Sequence, residues 1–166
     1  MKAPTTHPDH GALEAARHGI ERSPQWSQVA RQHLKLQPHC AACKPGTNTQ
    51  AKVQVHHIFP FHYCVALGRP DLELDQRNLI TLCEDEAGHP ADNHHLLVGH
   101  LDDFQSSNLN VVADAQTTFH GLSAAAIRQD PRWKREEAGR LKPLDQMTPQ
   151  DKANFLAKMN ARFPKK

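Results

Sequence analysis

Aromatic side chains are scarce: Phe, Trp and Tyr together make up 5% of the 166 residues, and all hydrophobic types 38%. A chain of this size and polarity closes only a small core, so something besides apolar burial is expected to hold it together. Long hydrophobic runs are missing too. No stretch approaches the roughly 20 apolar residues of a membrane span, and Met1-Lys2-Ala3-Pro4-Thr5-Thr6 lacks the apolar segment of a secretory signal. The expectation is a cytoplasmic protein with no membrane association. Nor is there a large excess of either charge, the formal net value being +2. The distribution is uneven, however, with residues 1–127 at net −4 and residues 128–166 at net +6. The basic tail permits a polyanionic partner, although a solvated helix surface produces the same pattern. Internal repeats and low-complexity tracts are absent, and the length suits one core with an appendage.

Against these absences stand four cysteines and thirteen histidines. In a reducing compartment a Cys-x-x-Cys pair binds metal more often than it forms a disulfide. Seven of the histidines (His56, His57, His62, His89, His94, His95 and His100) fall between positions 56 and 100. Neither core packing nor solubility requires such clustering.

Residues 1–22 carry only a weak helical pattern around Leu13 to Ile20 and read as a loose leader. Ser23-Pro24 opens a helix whose Trp26, Val29, Ala30, His33 and Leu34 share one face until Gln37-Pro38 ends it. Cys40-Ala41-Ala42-Cys43 and the turn-rich segment behind it read as a metal knuckle. Val53, Val55 and His57 alternate with Gln54, His56 and Ile58 as on a strand, which turns adjacent histidines to opposite sides. A long connection leads to a second strand, Leu79-Ile80-Thr81-Leu82, ending at Cys83. After an acidic loop, Asn93 caps a short helix carrying His94 and His95. An Ala-rich helix over 122–129 stops at Asp130-Pro131. A last helix starts at Thr148-Pro149-Gln150-Asp151 and lines up Phe155, Leu156, Met159 and Phe163.

Two metal groupings separate by ligand chemistry. Thiolates suit a closed, tetrahedral structural zinc, whereas a catalytic ion keeps open positions and is often held by imidazoles or carboxylates. Cys40, Cys43 and Cys83 supply three zinc ligands. His94 is the choice for the fourth, with His89 the competitor and Cys64 a third option better read as a buried free thiol. The second grouping is His56, His57, Asn78 and His95. Phosphodiester hydrolysis needs a base for water and a cation for the developing negative charge, tasks that two neighbouring histidines can divide.

Val55-His56-His57-Ile58-Phe59-Pro60, Asn78-Leu79-Ile80-Thr81-Leu82-Cys83 and Asn93-His94-His95, with the Cys40-x-x-Cys43 knuckle, resemble the three motifs of the HNH endonuclease family in order. The match covers roughly residues 24–112. The resemblance implies an α+β fold: a ββα-metal core with a zinc knuckle and flanking helices. It divides the chain into a leader (1–22), a nuclease domain (23–112) and a helical, basic extension (113–166). It further implies that His56 and His95 hold one catalytic divalent ion, that His57 is the general base, and that Asn78 holds the connecting loop so that His57 is aimed. Mg2+, Mn2+, Ni2+ and Zn2+ are all admissible there. His100, five residues after His95, lies some 140° around a regular helix, at about 100° per residue, and reaches the same ion only if Gly99 ends or distorts that helix.

DNA, contacted without strong sequence preference, is the expected substrate. Lys52, Arg69, Arg77, Arg128, Arg132, Lys134, Arg135, Arg140 and Lys142 are the candidates for phosphate contact. Trp133 reads as an anchor rather than a base-stacking residue. A non-catalytic, zinc-stabilised nucleic-acid-binding module is the alternative, as is a nuclease toxin of the same chemistry. An immunity or phage-packaging partner is left open.

Overall fold

Two short antiparallel strands, β1 (Val53–His57) and β2 (Leu79–Cys83), pair with Val53 opposite Cys83 and His57 opposite Leu79. The computed structural model describes residues 9–47, 51–84 and 93–166, and helices supply most of the remaining regular structure. The fold is thus α+β, mixed helix with a small two-stranded sheet. All five residues of β2 are buried, because the sheet is covered by α2 (Trp26–Leu36) and by a helical turn at 95–99.

Helix α2 turns the expected face inward: His33 is buried, and Trp26, Val29, Ala30 and Leu34 are half-buried. His33 Nδ1 meets Gln76 Oε1 at 2.8 Å, and Gln76 Nε2 donates to the Val29 carbonyl at 3.2 Å, which ties this face to the turn before β2. Helix α3 (Phe61–Ala66) follows β1 directly after Pro60, and its first four residues are all buried.

The turn after β2 departs from a regular helix. Residues His95–Gly99 form a π-helical turn, in which i→i+5 bonding replaces i→i+4 and widens the coil. It ends at Leu101 and Asp102, both in the left-handed region with φ of 54° and 62°. The Asp102 amide bonds back to the Leu96 carbonyl at 3.0 Å, and its carboxylate holds Arg128 through two bonds of 2.7 and 2.9 Å.

Helices flank this core on both sides in the sequence. Within the supposed leader, α1 (His10–Arg17) is a helix capped by Asp9, whose Oδ1 accepts from the Ala12 amide at 2.9 Å. Its Ala15 is fully buried, and the helix packs on α3. The short α4 (Val111–Ala113) leads through another π-helical turn to α5 (Ala124–Gln129) and α6 (Pro131–Ala138). Asp130 ends α5 and caps α6, its Oδ1 accepting from Arg132 N at 2.8 Å. Helix α7 (Pro149–Arg162) has the expected capping box between Thr148 and Asp151. Its Phe155 and the following Phe163 set their rings edge-on to Phe59, at 5.6 and 5.8 Å. Trp133, Leu144, Phe155, Met159 and Phe163 belong to the same apolar cluster as Ile80, Leu82, Leu97 and Val98. Position 112 is therefore no packing boundary.

Candidate functional site

The turn after α2 puts Cys40 and Cys43 beside the end of β2. Ala41 N donates to Thr81 O at 2.9 Å, Thr81 Oγ1 to Gln37 O at 2.6 Å, and Gly121 N to Ala42 O at 2.8 Å. Cys83 closes β2, and His94 immediately precedes the π-helical turn. His94 Nδ1 lies 3.5, 3.4 and 3.2 Å from the Sγ atoms of Cys40, Cys43 and Cys83, and Cys43 Sγ lies 3.9 Å from Cys83 Sγ. Zinc bonds of about 2.3 Å to sulfur and 2.0–2.1 Å to nitrogen give tetrahedral edges of about 3.8 Å (S–S) and 3.6 Å (S–N), so the measured edges fit a zinc tetrahedron. The Cys40/Cys43/Cys83/His94 cluster can hold a zinc ion. Hydrogen bonds from Cys43 and Cys83 outweigh burial and hold Cys40 far below the usual thiol range. Burial opposes charge on His94, but Cys40 and Cys43 beside it raise its pKa to about 10. The competing ligand His89 lies outside the described residues. Cys64 is remote from the cluster: fully buried, it places its Sγ 3.5 Å from the Phe59 carbonyl, and burial pushes its thiol up to about 12.

A second cluster brings together His56 from β1 with His95 and His100 from the two ends of the π-helical turn. One ring nitrogen from each lies within 4.8 Å of the others. His95 Nε2 and His100 Nε2 are 3.1 Å apart. The widened turn makes this possible, since it brings positions five apart onto one side where a regular helix would splay them. His100 Nδ1 bonds to the Ser106 carbonyl at 2.6 Å, an acceptor that fixes the proton on Nδ1 and leaves Nε2 with a lone pair. His95 Nδ1 lies 3.4 Å from Glu84 Oε2, a close approach without hydrogen-bond geometry between the two atoms. His56 Nε2 is buried without a hydrogen-bond partner among the described residues. Burial, then the neighbouring His100 and His95, drive the His56 pKa well below its ordinary value, and burial takes His100 to about 3. His56 and His100 are thus neutral imidazoles, the form that binds cations. Gly99 N-terminal to His100 makes room for them: a Cβ there would sit 3.1 Å from His56 Cε1 and from Leu82 Cδ1.

His57 faces the opposite side of β1. Its ring stacks on Trp26 at 4.5 Å and tilts against Phe61 at 5.7 Å. Nε2 donates to the Glu73 carbonyl at 2.8 Å, which makes Nδ1 the basic nitrogen. Burial first, then the Arg22 guanidinium, lower its pKa to about 3. Arg22 lies over the Trp26 and Phe61 rings at 4.3 and 4.2 Å and is held by Asp9 through bonds of 2.7 and 2.6 Å. Asn78, fully buried, accepts from Phe59 N at 2.8 Å and donates to the carbonyls of Phe59 and Leu72 at 3.0 Å each. It thereby clamps the exit of β1 to the segment whose next residue, Glu73, accepts the His57 Nε2 hydrogen bond at its carbonyl. Glu84, Glu73 and Arg22 were not among the sequence candidates. Glu84 directly follows Cys83 and could have been suspected as a carboxylate beside ligands, whereas a backbone carbonyl acceptor such as that of Glu73 leaves no trace in a sequence.

The basic residues expected to meet phosphate are mostly engaged within the chain. Arg69 is corrected outright: fully buried, it bonds Asp71 through Nε and Nη2 and Asn160 and the Phe163 carbonyl through Nη1. Arg77 pairs with Asp75, Arg128 with Asp102, Arg132 with Asp114, and Lys142 with Asp151. Arg140 donates to the Leu101 carbonyl. Trp133 is an anchor, 4% exposed, its Nε1 donating to the Leu97 carbonyl of the π-helical turn at 2.9 Å. Among the described residues no helix is long and apolar enough to cross a membrane. No family model, curated protein or solved structure matches the chain.

Proposed function

We propose that this protein is an HNH-type endonuclease that hydrolyses DNA phosphodiester bonds with one divalent cation and a histidine general base. In this reading β1, β2 and the helical turn beyond them are a ββα-metal core, and the Cys3His cluster is its structural zinc site. The observation that carries the reading is the convergence of His56, His95 and His100 within 4.8 Å, next in sequence to a histidine whose proton is already committed to a carbonyl acceptor.

His56, His95 and His100 would hold the ion, a nitrogen-only set that leaves positions open for water and substrate. A cation there would stabilise charge on the phosphoryl oxygens and on the departing 3′ oxygen. His57 takes a proton from the attacking water at Nδ1, and its Nε2–H···O=C bond to Glu73 keeps the ring oriented during that transfer. The resulting imidazolium is stabilised by the same carbonyl. Asn78 acts through the loop rather than on substrate, so it is a positioning residue. The Ser106 carbonyl orients His100, and Glu84 lies beside His95.

The test is incubation with supercoiled plasmid across Mg2+, Mn2+, Ni2+ and Zn2+, followed by end-group analysis. Cleavage to 5′-phosphate and 3′-hydroxyl ends is the expected result. DNA binding without cleavage under every ion would leave the non-catalytic module in its place.

A further inference from the structure

A third group of ligating side chains stands apart from both clusters and takes no part in the reading above. Glu14 lies on α1 and His18 one turn further on, at the cap that ends that helix, and His62 lies on α3, the helix against which α1 packs. One ligand atom from each falls within 4.8 Å of the others. His18 Nε2 is already 3.6 Å from Glu14 Oε1, and the His18 and His62 rings run parallel, 2° between their planes and 5.4 Å between centroids. His62 is 5% exposed, and its Nδ1 is buried with no hydrogen-bond partner among the described residues. An apolar side chain would fill that position at lower cost than a buried ring nitrogen without a partner.

We propose that Glu14, His18 and His62 bind a further first-row divalent cation of the Zn2+ class, which pins α1 to α3. Two imidazoles and one carboxylate are an established zinc donor set, with water taking the fourth position. Bonds of 2.0–2.2 Å require ligand separations of about 3.3–3.6 Å, so the His18–Glu14 edge is already of the right length, and His62, within 4.8 Å of both, closes by a side-chain movement of at most about 1.5 Å. The Glu14 Oε2 atom faces Arg17 Nη1 at 3.3 Å, which leaves Oε1 as the ligating oxygen. The helix so pinned leads into Arg22, which lies against Trp26 and Phe61. The site stands independently of the nuclease reading.

The experiment is equilibrium dialysis of the full chain against Zn2+ or Co2+ with metal analysis per chain. It is run on wild type, Glu14→Gln, His18→Ala and, as an independent control, His56→Ala. Glu14→Gln and His18→Ala should each bind one equivalent less than wild type while keeping the wild-type circular dichroism spectrum. The double variant His18→Ala/His56→Ala should lose two. In parallel, with the ion at about 100 times its dissociation constant, opening of α1 falls about 100-fold. Tryptic cleavage at Arg17 should slow accordingly in wild type but not in His18→Ala. Equal metal content in wild type, Glu14→Gln and His18→Ala would overturn the proposal, whatever the nuclease assay gives.

Discussion

At the scale of single residues, the different surroundings of His56 and His57 follow from strand geometry, because successive side chains on β1 leave by opposite faces. His56 joins two other imidazoles, and His57 donates a hydrogen bond from Nε2 to the Glu73 carbonyl. The space for the first arrangement comes from the missing side chain of Gly99. Its hypothetical Cβ would meet His56 at 3.1–3.2 Å and Leu82 at 3.1 Å, closer than such contacts normally come, and both neighbours are buried. Gly99→Ala therefore displaces the His56 ring while leaving the zinc cluster intact. Divalent-ion binding at the three-histidine site should weaken by about 10- to 100-fold, the range seen when the orientation of metal ligands is disturbed. Calorimetric titration of the zinc-loaded protein measures it, and unchanged affinity would show that the ring has room. The histidines, the cysteines and Asn78 were legible because their chemistry is written in residue type and spacing. The His57 acceptor was not, since a carbonyl looks the same at every position.

At the scale of elements, the Cys3His cluster links three pieces: the turn after α2, the end of β2 and the start of the π-helical turn. A cross-link of this kind contributes folding free energy directly, because the unfolded chain holds no preformed site. Removing zinc with a strong chelator, or replacing Cys43 with Ser, should abolish the native near- and far-ultraviolet circular dichroism along with any activity. A native spectrum without zinc would show that the apolar cluster suffices. The strands, α2 and α7 were readable from periodicity and capping, down to the Thr148–Asp151 box. The π-helical turn was not, since a 3.6-residue period is the default and the departure arises from tertiary contacts. Those include the Trp133 bond to the Leu97 carbonyl and the Asp102–Arg128 pair that anchors the left-handed exit. Only the five-residue interval between His95 and His100 hinted that a regular helix would not do.

At the scale of the whole molecule, α1 packs on α3, α7 joins the apolar cluster that includes Ile80 and Leu82, and several cations of the basic tail, among them Arg128, Arg132 and Lys142, are paired with carboxylates. Arg132 reaches Asp114 at 2.8 Å and Glu136 at 3.4 Å. Glu136 shares this cluster with fully buried Asp114. Burial, then the Asp114 carboxyl beside it, raises the Glu136 pKa to about 7. A carboxyl whose folded pKa exceeds its unfolded value of about 4.3 binds its proton more tightly in the native state, so native stability falls as pH rises between those values. Glu136→Gln, which is neutral throughout, should accordingly melt higher than wild type at pH 8 and match it at pH 4. Identical melting differences at both pH values would contradict the shift. The charge asymmetry was visible in the sequence, but which cations are paired depends on partners such as Asp102 and Asp114 that lie far away along the chain.

The central claim is that one imidazole of the His56-His57 pair holds a cation and the other activates water. It is tested most directly by measuring ion binding and plasmid cleavage side by side in two single variants. His56→Ala should lose both the three-histidine site's ion and the cleavage. His57→Ala should keep the fold and bind that ion as wild type does, but cut at least about 100-fold more slowly, the lower range for loss of a general base. Cleavage by His57→Ala at the wild-type rate, with the ion bound, would contradict the account.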